Sequence, residues 1–145
     1  MGERSDFEGS ENENIIDVYL SSVVTILIDG EWYPASAAPK MLGEPLFMIS
    51  AWNPGVQLSE AENEKLSREL EALLNDRGYL WVHAKGADPN SDYFEPSYVI
   101  TNIAESDALS IARDFKQVAI FRITHDQLTV IMCDSGVEKS LTFSS

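Results

Sequence analysis

Cysteine occurs once in this chain of 145 residues, as Cys133, so no internal disulfide can form. A chain of this length can bury about 70% of its unfolded surface and needs no covalent staple. Bases are scarce: 10 Lys and Arg stand against 24 Asp and Glu, for a formal charge of −14. That field repels phosphate backbones and anionic headgroups, which argues against nucleic acid as a partner and against a membrane surface. No apolar run approaches the roughly 18–20 residues that span a bilayer. Residues 1–14 lack the apolar stretch of a secretory signal. The lone thiol and these absences together predict a cytoplasmic protein.

Other motifs are missing as well. There is no Gly-x-Ser-x-Gly elbow, no phosphate-binding Walker loop and no Gly-x-Gly-x-x-Gly. The two histidines, His83 and His125, have no metal-ligand spacing with Cys133. Asp88, Asn90 and Asp92 follow the 1, 3, 5 spacing of a calcium loop. Tyr93 occupies the place of the required Gly, however, and Val99 that of the bidentate Glu. No metal and no cofactor are therefore expected. Cys133 would need a lowered pKa and a nearby base to act as a nucleophile. His125 is the base that a hairpin could bring opposite it, but a buried strand thiol is the plainer expectation.

What remains is an ordered series of short elements. Residues 1–14 carry five acids and one large apolar side chain, Phe7, and read as a disordered acidic tail. Residues 15–145 read as one α+β domain. Ile15–Leu20 is apolar enough to pack as one or two helical turns. Val23–Ile28 and Glu31–Tyr33 form a hairpin around Asp29-Gly30. Pro34–Glu44 reads as a loop. Pro45–Trp52 is a nearly unbroken apolar run, as in a strand covered on both faces, and Asn53-Pro54-Gly55 stops it. Ser59 with Glu62 is a capping box, and Leu66, Leu70, Leu73 and Leu74 mark the buried stripe of the helix that follows. Gly78 closes that helix. Tyr79–Ala84 and Pro96–Ile103 read as strands flanking a polar loop, Lys85–Phe94. Ser106 is placed to cap a second helix with Ala108, Ile111, Ala112 and Phe115 inward. Val118–Ile123 and Leu128–Cys133 form a hairpin, and Gly136–Ser145 is weakly specified. From Pro45 the order is β-α-β-β-α-β plus a further strand. That predicts a split-βαβ, ferredoxin-like arrangement: an antiparallel-rich sheet with two main helices on one face, plus extra strands.

Four segments carry a resemblance: Phe47-Met48-Ile49-Ser50-Ala51-Trp52-Asn53-Pro54-Gly55, Ser59-Glu60-Ala61-Glu62-Asn63, Glu95-Pro96-Ser97-Tyr98, and Phe115-Lys116-Gln117-Val118-Ala119-Ile120-Phe121. Over roughly residues 15–130 the chain resembles a bacterial family known as domain of unknown function 3293. Val118 stands where that family's pattern has Asn. The resemblance implies no activity.

Asn53, Asn63, Glu95 and Gln117 are polar residues of those motifs, set on or beside apolar elements. Asn63 shares a helical face with Leu66 and Leu70, so it points inward. Partly buried polar groups need partners or cost about 1–3 kcal/mol each. Two readings follow. In one, the four serve architecture, bonding to backbone and to one another, with Asn53 holding its turn. Alternatively they converge on a small ligand, with Asn53, Asn63 and Gln117 orienting it and Glu95 as acid or base. The acidic charge also allows a different role without catalysis: an adaptor, antitoxin-like or DNA-mimic module for a basic protein partner.

Overall fold

The computed structural model describes residues 15–143, so the expected tail over residues 1–14 lies outside the described residues. Residues 15–20 are helical (α1). The elements that follow are β1 (Val23–Ile28), β2 (Glu31–Pro34), a 3₁₀ turn (Ala35–Ala37), α2 (Ala38–Leu42), β3 (Leu46–Ile49), α3 (Glu60–Asp76), β4 (Trp81–Ala87), β5 (Phe94–Ile100), α4 (Glu105–Asp114), β6 (Ala119–Ile123), β7 (Gln127–Met132) and β8 (Glu138–Thr142). The fold is α+β. The eight strands of the described residues lie in one sheet in the order β2-β1-β4-β5-β3-β6-β7-β8, and every neighbouring pair is antiparallel.

Strand pleating divides the sheet into two apolar faces. In β3 all four side chains are buried: Phe47 and Ile49 point to one face, Leu46 and Met48 to the other. The first face carries Tyr98, Ile100, Ile120 and Ile131, and against it pack Leu70 and Leu74 of α3 and Ala108, Ile111 and Ala112 of α4. The second face runs from Val24, Ile26 and Ile28 in β1 to Phe121, Ile123 and Val130 in β6 and β7. Ile16, Tyr19, Leu20, Ala35, Ala38 and Leu42 cover it, so α1 and α2 lie opposite α3 and α4. The sheet curls around this second cluster, with Tyr19 edge-on to Phe121 at 6.1 Å and Lys139 of β8 paired with Asp17 at 2.7 Å.

Several boundaries follow the local chemistry read from the sequence. Asp29 (φ +51°) and Gly30 (φ +84°) take the left-handed conformations that a tight β1–β2 hairpin demands. The Ser59–Glu62 capping box is present in both directions, and Gly78 (φ +76°) follows the last turn of α3.

Other expectations are corrected. The loop expected over Pro34–Glu44 contains the 3₁₀ turn and α2. Pro39 stands in the first helical turn, where its missing N–H has no intrahelical role, and Ala35, Ala38 and Pro39 are buried. Ser106 does not cap α4: the N-cap is Ala104, without a side-chain bond. The polar loop is shorter than Lys85–Phe94, because β4 runs to Ala87 and β5 begins at Phe94. The weakly specified end contains β8, an exposed edge strand with no alternating apolar pattern to announce it. Polar contacts hold it: Thr129 Oγ1 to Ser140 Oγ at 2.7 Å, and Arg122 bridging Glu138 at 2.9 Å and Glu105 at 2.6 Å.

Candidate functional site

At the end of β3 the chain turns through Ala51 and Trp52 into Asn53, which sits at φ +46°. Asn tolerates this region better than other residues with a Cβ, because its short amide can bond locally. Asn53 Oδ1 accepts the Leu58 N–H at 3.0 Å and so closes the turn. Asn63, one turn into α3 and only 2% exposed, completes the junction. The Asn53 backbone N–H donates to Asn63 Oδ1 at 2.8 Å, and Asn63 Nδ2 donates back to Asn53 Oδ1 at 2.9 Å. The two amides thus satisfy each other and fix the entry of α3 against the sheet.

The network continues outward. Asn53 Nδ2 donates to the Tyr93 hydroxyl at 3.2 Å, and that hydroxyl donates to Glu95 Oε2 at 3.4 Å. Gln117 reaches the same turn from the other side: its Nε2 donates to the Trp52 carbonyl at 3.1 Å and to the Phe115 carbonyl at 3.3 Å. All four residues singled out in the sequence are therefore brought to one corner of the sheet. They do not all face one space.

That space is a cavity of about 710 Å³ on the α1 side of the sheet. Strand parity builds its wall. Met48, Gly86, Glu95, Ser97, Ala119 and Phe121 all project to the α1 face at neighbouring strand ends, and Ser50 and Gln117 extend the rows beyond β3 and before β6. Ile15, Val18 and Tyr19 of α1 close it from across. Glu95, Gln117 and Tyr93 line the cavity, whereas Asn53 and Asn63 lie behind its wall.

Burial raises the Glu95 carboxyl above its ordinary range. The neighbouring hydroxyls of Ser50 and Tyr93 offset part of the rise. Burial, with Glu95 as the next cause, pushes the Tyr19 phenol up to about 12. Among the described residues, the charged groups lining the cavity are Asp88 and Glu95, with no Lys, Arg or His. Gly86 leaves room: a Cβ there would meet only Met48 Cε, at an ordinary 3.7 Å, and its backbone is not in the left-handed region.

Tyr93, Gly86, Ser50, Ser97 and the cover from α1 were not singled out in the sequence. The available signal was the register of β5. Once that strand starts at Phe94, Glu95 and Ser97 share one face with Val99.

The remaining chemical candidates fall elsewhere. Asp88 is engaged within its own turn, accepting from the Asn90 N–H at 2.9 Å and the Ser91 hydroxyl at 3.0 Å. Among the described residues no group of three His, Cys, Asp or Glu is placed to hold a metal ion. The suggested pairing of Cys133 with His125 is not made, since the two occupy opposite ends of the β6–β7 hairpin. His125 bonds Glu44 through its ring and its backbone N–H, and burial pushes the Cys133 thiol up to about 11. Among the described residues no helix is long and apolar enough to cross a membrane.

No curated protein and no solved structure matches the chain. Residues 49–120 match a family described as "Protein of unknown function (DUF3293)". That span begins in β3, takes in the Asn53 turn, α3, Glu95 and Gln117, and ends in β6. Through this segment, which carries the hydrogen-bonded corner and most of the cavity wall, the chain belongs to the DUF3293 family.

Proposed function

We propose that this domain binds a small molecule in the cavity between α1 and the ends of β3, β4, β5 and β6. One observation carries the reading. A chain of side-chain bonds runs from buried Asn63 through Asn53 and Tyr93 to Glu95, and ends on a carboxylate in a concave, largely apolar space that holds no basic group among the described residues. Cavities of roughly 300–1,000 Å³ with a few convergent polar groups are what small-ligand sites look like. In this reading Glu95 and Gln117 touch the ligand, while Asn53 and Asn63 position the wall. A half-buried carboxyl raised above its usual range is also suited to exchange a proton with a bound molecule.

We read the frame as the split-βαβ, ferredoxin-like arrangement. The order β4-β5-β3-β6 and the single cluster shared by α3 and α4 support it. The lone thiol suits a reducing, cytoplasmic setting.

A thermal-shift screen of common metabolite classes tests the proposal, run on the wild type and on Gly86→Leu, whose side chain would grow into the cavity. A ligand at a hundred times its Kd adds about 2.7 kcal/mol, or roughly 8 °C at this size. The expected result is a class that stabilises the wild type and not Gly86→Leu. Identical responses from the two proteins to every compound would overturn it.

A further inference from the structure

Resting on the small-molecule reading, we propose that the cavity selects cationic ligands: a small organic ammonium with an apolar body, its nitrogen directed at the Glu95 carboxylate. The hydrogen-bonding inventory of the wall points this way. On the strand-end side, the side-chain donors are already engaged. The Ser50 hydroxyl donates to the Pro96 carbonyl at 3.0 Å, and the Ser97 hydroxyl to the Glu95 carbonyl at 3.3 Å. Both Gln117 Nε2 contacts go to carbonyl oxygens, which fixes the amide's orientation and leaves its Oε1 as the group to offer a ligand. The Tyr93 hydroxyl is turned to Glu95. This wall therefore presents acceptors, namely one carboxylate and one amide carbonyl. The donors without a partner among the described residues, the hydroxyls of Tyr19 and Ser22 and the Asn90 amide, lie on α1, just after it, and in the turn between β4 and β5.

Charge agrees with this inventory. A part-buried carboxylate is costly unless a cation meets it. The nearest strand cation, Lys85, is turned to the other face of β4, 4.4 Å from the Trp32 ring centroid and 5.4 Å from that of Phe94. The formal charge of −14 draws cations toward the molecule. An ammonium, which has donors and no acceptor, fits an acceptor-rich wall, and Met48, Ala119 and Phe121 offer apolar contact to the rest of the ligand.

The test is a fragment titration of the full-length ¹⁵N-labelled chain, followed at the backbone amides of Gly86, Ser97 and Gln117. Arylalkyl amines such as phenethylamine are set against their neutral alcohol and carboxylate isosteres. The expected result is that amines shift these amides at concentrations at least fivefold lower than their isosteres. Glu95→Gln should weaken the amines at least tenfold, while Glu95→Asp, which keeps the charge, should stay within about threefold of wild type. If alcohols or carboxylates bind the cavity as well as amines, or if Glu95→Gln binds amines undiminished, the cationic class is overturned and the site itself stands. If no fragment moves these amides, both the class and the small-molecule reading fall.

Discussion

Asn63→Ala removes the buried amide that ties the Asn53 turn to α3. Two short bonds are lost, the 2.8 Å bond from the Asn53 N–H and the 2.9 Å bond to Asn53 Oδ1. A net loss of about 1 kcal/mol for each is typical, and a backbone N–H left without a partner adds about 1–3 kcal/mol. Asn63 is 2% exposed, so water cannot readily replace the amide. The expected destabilisation is about 3–5 kcal/mol, or roughly 9–15 °C in melting temperature for a chain of this length. Urea unfolding followed by far-UV circular dichroism measures it directly. Asn63→Asp should lose at least as much at pH 7: it keeps an oxygen to accept the Asn53 N–H, but it buries an unpaired carboxylate and sets an acceptor against Asn53 Oδ1. A loss below about 1 kcal/mol for Asn63→Ala would refute the idea that this pair fixes the corner of the sheet.

Two further outcomes follow from the same structure. Glu95 has a folded-state pKa above its unfolded value, so between the two the native state holds more protons and stability falls as pH rises. Glu95→Gln should therefore melt higher than the wild type at pH 7 in the absence of ligand, and the gain should vanish below the ordinary Glu pKa of about 4.3; melting curves across that range check both the sign and the window. Ser59→Ala breaks the capping box and should cost about 1 kcal/mol in urea titration, with no effect on ligand binding at the cavity.

Much of the frame was legible because the local signals agree with one another. Asp29-Gly30 demands a hairpin, Ser59 and Glu62 start a helix, and the unbroken run through Phe47 and Ile49 needs cover on both faces. The segments misread were those whose stabilisation is tertiary. α2 is built from Ala and Pro that look like loop composition until burial is known. β8 has no apolar alternation and holds through its ladder and through Arg122. At the site, the sequence pointed to Asn53, Asn63, Glu95 and Gln117 as a polar set, and they do share one corner. It did not separate the two behind the wall from the two that line it. That distinction depends on the register of β5 and on the cover from α1, neither of which is encoded within a few residues of the motif. Tyr93 illustrates the gap: it links Asn53 to Glu95, yet its neighbours in the chain mark it only as part of a polar turn.

The central claim is that the cavity beside Glu95 and Gln117 is a ligand site. Isothermal titration of the best compound from the thermal-shift screen, into wild type and Gly86→Leu side by side, tests it most directly. The account predicts one binding site per chain in the wild type and at least a thirtyfold weaker Kd in Gly86→Leu, with both proteins equally folded. Equal affinity for the two proteins would contradict it.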